Sequence, residues 1–241
     1  MELSKCKVLL ILFTPFILNI LISSIIGMYV SYNAYLRGLR GEEIGIEVQK
    51  ALYTVNFYWS IIQVGIGLYV IKLMGGWSKF EEKLSFRDIR ESPAKSLALI
   101  AALIMVTLGI IWFFLGLSAH MFYGGWGRFA ESWKKVVAGL PLYSKIYLVA
   151  IAPFTAGIFE EAIWRWFGIE SLSKHYSPRK AVAMQAIAFG VWHGLTLHAV
   201  ATAIVGAIYG LVYLKRKRLL ILVLAHIVSD IIGFSMSVFA V

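Results

Sequence analysis

Residues 145–169 read KIYLVAIAPFTAGIFEEAIWRWFGI: after Lys145 come fourteen residues without a charge, then Glu160, Glu161 and Arg165 within the next six. Twenty-five helical residues extend about 37 Å, and a bilayer's hydrocarbon core takes about 20 apolar residues to cross. The stretch reads as a membrane helix, and charges in such a helix are expensive, usually paired and usually functional. Pro153, seven residues before Glu160, is expected to kink it and open space beside the charges.

Six further apolar segments flank it, at about 8–34, 51–74, 96–118, 180–195, 197–214 and 219–240. The expected fold is all-α: a polytopic transmembrane bundle of seven or eight membrane helices around a polar cavity. One integral-membrane domain covers 1–241, with its motif-bearing half at about 145–240. The segment 180–195 is short, and Gly194 points to a tight turn into the next helix. Residues 120–142, with Trp126, Trp133, Lys134 and Lys135, are more polar and read as an amphipathic piece along the interface. No internal repeat and no linker divides the chain.

Composition agrees. Sixty per cent of the 241 residues are hydrophobic, 15% are charged and mean hydropathy is +0.78, which excludes a water-soluble globular enzyme. Fifteen Phe, 12 Tyr and 8 Trp exclude a disordered chain. Cys6 is the one cysteine, so disulfide frameworks and Cys-rich metal sites are excluded. After Lys5 and Lys7 the apolar run extends to about Met28, too long for a cleaved signal peptide, and reads as a retained first span.

The net charge of +10 lies in short loops, where it sets membrane orientation rather than binding nucleic acid. Of 23 Lys and Arg, 14 fall on the side of the N-terminus and 7 on the other, so the N-terminus is expected in the cytoplasm. The brevity of the soluble segments points to a prokaryotic plasma membrane.

The ionisable residues inside the spans are Glu160, Glu161, Arg165, His193, His226 and Asp230. At the helical rise Glu160, His193, His226 and Asp230 stand about 10–20 Å from the cytoplasmic ends of their helices, a common level that predicts one polar cavity on the cytoplasmic side. Glu161 and Arg165, four apart, are expected to pair on one face, with Glu160 about 100° around the helix. His226 and Asp230 have the same spacing, as do Phe189 and His193. Trp164, Trp166 and Trp192 stand near these groups, to line the cavity or to pack. A blander reading accompanies each group: a Glu–Arg pair also glues helices, and a lone membrane histidine often serves an interhelical hydrogen bond. His198 is expected at the interface, and His120 and His175 in solvated loops.

Three motifs follow in order on separate apolar segments. Glu160-Glu161-Ala-Ile-Trp-Arg165 is EExxxR, Phe189-Gly-Val-Trp-His193 is FxxxH, and His226-Ile-Val-Ser-Asp230 is HxxxN/D. Over about residues 145–240 the chain resembles the CAAX prenyl endopeptidase and bacteriocin-processing family of intramembrane glutamate proteases. The resemblance implies metal-independent peptide hydrolysis without a cofactor. It implies Glu160 as general base, with His193 helping to hold the water, and His226 with Asp230 stabilising the oxyanion. Glu161 and Arg165 would be the orienting pair, and Phe189, Trp164 and Trp192 the cavity lining. The implied substrate is a membrane-associated, prenylated peptide, entering from the lipid and losing the three residues after its prenylated cysteine. Prenyl-processing members typically carry Asn where this chain has Asp230, and Asp donates a hydrogen bond only when protonated.

Three alternatives stand beside that reading. Glu160, His193 and His226 are an acceptable ligand set for a zinc protease, although HExxH is lacking. Buried Glu, His and Asp also build proton relays, although no repeat relates two halves as in many transporters. A non-catalytic family member, in an immunity or scaffold role, is the third.

Overall fold

The structure is a computed structural model and describes residues 3–239. Ser4 accepts a hydrogen bond from the Lys7 N–H and starts α1 (Lys5–Leu36), an apolar helix of 32 residues. Next come α2 (Glu42–Thr54) and α3 (Phe57–Leu73), a pair bent by 46°, then the short α4 (Trp77–Lys83) and α5 (Arg87–Glu91). Pro93, whose missing N–H costs nothing in a first turn, opens α6 (Pro93–Tyr123), and Gly124 in the left-handed region ends it.

After α7 (Trp126–Ala138) the chain enters the stretch that carries Glu160, Glu161 and Arg165. It is α8 (Leu142–Ala150), α9 (Ala152–Thr155), a π-helix (Ala156–Ile169) and α10 (Glu170–Leu172). Two residues before Pro153 the helix is interrupted at Ile151, with φ −118° and ψ −51°, between α8 and α9. Beyond it the backbone winds with wider i→i+5 hydrogen bonds through all three charges, an uncommon winding that favours functional sites. The chain closes with α11 (Pro178–Trp192), α12 (Leu197–Arg216) and α13 (Leu220–Phe239). Among the described residues no strand occurs, and the fold is an all-α polytopic bundle.

All seven apolar segments are helical, but they are not seven equal spans. Among the described residues five helical runs are long and apolar enough to cross a membrane, and six if bent α2–α3 counts as one. The seventh, α11, has 15 residues, about 22 Å of helix against a core of about 30 Å. His193 caps it, and the turn continues through Gly194 at φ +100°, a conformation that glycine adopts freely. The segment expected to be amphipathic includes α7, which is tied to α13 by the Trp133 indole donating to the Ser237 carbonyl at 2.8 Å.

The π-helix is the axle of the bundle: twelve of its fourteen residues are buried. Ala162, Trp166 and Ile169 pack into an apolar cluster with α6, α12 and α13, while Ile163, Trp164 and Phe167 pack into a second with α1, α3 and α11. Two glycines set how closely its neighbours approach. A Cβ on Gly67 of α3 would sit 2.9 Å from Phe159 Cβ, and one on Gly157 would sit 3.2 Å from the Val223 carbonyl of α13. Both distances are tighter than an ordinary carbon contact, so neither position accepts a side chain without moving a helix.

Candidate active site

Between those two close approaches stands Glu160, 1% exposed. Its Oε1 accepts two hydrogen bonds, from Gln63 Nε2 of α3 at 2.6 Å and from the Trp192 indole of α11 at 2.7 Å. Its Oε2 has no hydrogen-bond partner and stands 3.7 Å from His226 Nε2 of α13. One oxygen is held by donors from two helices; the other faces an imidazole across a gap too long for a direct hydrogen bond and short enough for one water to touch both.

His226 is the hub. Its Nδ1 lies 2.8 Å from Glu161 Oε1, and its Nε2 lies 3.6 Å from Asp230 Oδ2 as well as near Glu160. Carboxylate oxygens only accept, so Nδ1 carries the proton toward Glu161 when that residue is ionised. Three carboxylates thus surround one imidazole, two from the π-helix and one from a turn further along α13.

Glu161 also pairs with Arg165, whose Nε is 3.2 Å from Glu161 Oε2, both side chains being fully buried. The Nε–H is not aligned for a hydrogen bond, and no described acceptor reaches Nη1 or Nη2. The guanidinium lies instead between two aromatic faces, 4.1 Å from the centre of the Phe189 ring and 5.4 Å from that of Tyr209. A planar, weakly hydrated cation tolerates such a slot where an ammonium would not. Glu161 therefore serves two cationic or donor groups at once, and Phe189 is the ring that packs both Arg165 and, at 6.3 Å, His226.

His193 is placed at the edge of this cluster. Its Nδ1 lies 2.9 Å from the Phe189 carbonyl, which fixes the proton there and leaves Nε2 as acceptor in the neutral ring. Its remaining contacts are ring contacts: Phe189 at 4.9 Å, Trp59 at 5.7 Å and His198 at 5.6 Å between centroids. The described hydrogen bonds do not include one from His193 to Glu160, so the two motifs meet through Trp192 and Phe189 rather than through the histidine itself. His198 is exposed, as expected of an interfacial residue. Trp164 and Trp192 are both fully buried; Trp164 packs edge-on to Phe189 at 5.3 Å, whereas Trp192 binds the glutamate.

Several neighbours lie outside the motifs. Gln63 holds Glu160. Trp59 packs on Trp192 at 4.3 Å, and Asn19 of α1 donates to the Trp192 carbonyl while accepting from the Tyr58 hydroxyl. All are uncharged residues in apolar helices; the signal that pointed to the others was charge. Gln63 and Asn19 were still visible as the rare amides in their spans. The zinc alternative requires Glu160, His193 and His226 around one ion. Among the described residues no three His, Cys, Asp or Glu side chains are grouped to hold a metal.

Residues 142–232 match the family model described as type II CAAX prenyl endopeptidase Rce1-like. The match runs from the start of α8 into α13 and takes in all three motifs. No curated protein and no solved structure matches the chain. Over residues 142–232 the chain is thus similar to the Rce1-like type II CAAX prenyl endopeptidases, in agreement with the resemblance that the three motifs carry.

Proposed function

We propose that the protein is an intramembrane endopeptidase in which Glu160 activates a water for attack on a peptide carbonyl, without a metal. The observation that carries this reading is the division of labour within one carboxylate: Oε1 occupied by Gln63 and Trp192, Oε2 unoccupied and facing His226. A base needs a fixed lone pair beside the water it deprotonates, and Oε2 offers one. The water's proton passes to Oε2, the hydroxide adds to the carbonyl, and the oxygen turns into an oxyanion. His226 presents Nε2 to it, with Nδ1–H held by Glu161. For Nε2 also to donate, the ring is doubly protonated, and the carboxylates around it balance that charge. The oxyanion then collapses to a carbonyl, the C–N bond breaks, and Glu160 returns the proton to the leaving amine. His193, with Nε2 free to accept, assists in holding the water, and Asp230 supports His226 from one turn further along α13.

The family match supports a peptide that carries a prenyl chain on a cysteine, cut so as to release the last three residues. The membrane helices support lateral entry of that chain from the lipid. The orientation is that of the basic loops: N-terminus in the cytoplasm of a prokaryotic cell, and the site toward that side. The test is cleavage by the purified protein in detergent of a farnesylated CAAX peptide and of the same peptide without the prenyl group. Release of the tripeptide from the farnesylated form alone is expected. Equal cleavage of both would remove the prenyl chain from the substrate definition, and cleavage of neither would overturn the peptidase reading for this substrate class.

A further inference from the structure

We infer that Gln63, in the half of the chain outside the family match, is a positioning residue for the proposed hydrolysis; the inference rests on that reading. Gln63 is 4% exposed and stands in α3 among apolar neighbours. Its side-chain amide points at Glu160, and the contact defines its orientation. A carboxylate only accepts, so the atom 2.6 Å from Oε1 is the nitrogen; the flipped amide would set two acceptors against each other.

The backbone is arranged for this contact. Gly67 lies one helical turn beyond Gln63, on the same side of α3, and is where α3 touches Phe159, the residue before Glu160. Removing the side chain at 67 lets α3 lie close enough for the amide at 63 to reach. The Trp192 indole meets the same oxygen from α11, so the carboxylate is gripped by two rigid helices on Oε1 and turned to present Oε2 to His226. Without Gln63 one donor remains, and a carboxyl held at one point can rotate about its last torsion. The expected result is a base still present but poorly aimed.

Gln63→Met keeps length and suits an apolar helix, so it preserves packing while deleting the donor. Gln63→Asn keeps the amide but withdraws it by one methylene. Both are expected to lower kcat by about tenfold to a hundredfold, the effect of removing a hydrogen bond to a charged group, with KM for the farnesylated peptide within about twofold of wild type. The thermal midpoint of Gln63→Met is expected to stay near wild type. A structural residue would show the reverse, a lowered midpoint with kcat per folded molecule unchanged, and that result would overturn the inference. If the wild type cleaves no peptide, the hydrolysis reading fails and a second readout still judges Gln63: labelling of Glu160 by dicyclohexylcarbodiimide, followed by mass spectrometry. Severalfold faster labelling in Gln63→Met upholds the grip on the carboxyl; equal labelling overturns it.

Discussion

His226 Nδ1 sits 2.8 Å from Glu161 Oε1, while its Nε2 stands 3.7 Å from Glu160 Oε2. One imidazole spans both members of the glutamate pair, bonded to the second and facing the first. Glu161 is consequently more than a counter-ion for Arg165: it holds the histidine that faces Glu160.

Removing Glu161 leaves the fully buried Arg165 and the partly buried His226 without their shared carboxylate. Glu161→Ala is expected to destabilise the bundle by about 3–5 kcal/mol, the usual cost of stranding a buried charge. Thermal unfolding in detergent measures it. Removing Arg165 as well is expected to recover part of the loss, because the double variant no longer buries the unpaired cation. A Glu161→Ala protein as stable as wild type would show that the aromatic slot of Phe189 and Tyr209 suffices for the guanidinium.

Gly67→Ala places a methyl against Phe159, with its carbon 2.9 Å from Phe159 Cβ. Overpacking of this kind costs about 1–3 kcal/mol, and here it also pushes α3 away from Glu160. Turnover is expected to fall more than stability would explain, measured as kcat per folded molecule. Unchanged kcat in a folded Gly67→Ala variant would mean that the separation of α3 from the π-helix does not set the glutamate's aim.

His198 is exposed at the start of α12 and touches the site through the ring of His193, 5.6 Å away. His198→Ala is expected to change stability by no more than about 0.5 kcal/mol and to leave turnover near wild type. A thousandfold drop in kcat would place the working histidine at 198 rather than at 193.

The seven apolar segments and the six ionisable residues were legible because charge inside an apolar run is conspicuous and helical spacing is periodic. Glu161 with Arg165, and His226 with Asp230, are near each other as their spacing required. The pairing of His226 with Glu161 was not legible. It depends on how closely α13 packs on the π-helix at Gly157, a distance between segments about 65 residues apart that no local pattern encodes. The i→i+5 winding was hidden for the same reason: residues 156–169 carry an ordinary helical pattern, and the wider turn is seen only with its neighbours in place. Gln63 left only the weak trace of one amide in FYWSIIQVGIGLYVIKL, which does not interrupt the apolar run as a charge does.

The most direct test of the central claim, that Glu160 is the group that activates the water, is single-turnover hydrolysis of a farnesylated CAAX peptide by wild type and by Glu160→Gln, each with and without a chelator. The substitution keeps shape and loses the base. Wild-type cleavage unaffected by the chelator, with Glu160→Gln folded and slower by about 10²–10⁴-fold, is the predicted result. A Glu160→Gln protein that cleaves at the wild-type rate, or a wild type silenced by the chelator and restored by zinc, would contradict it.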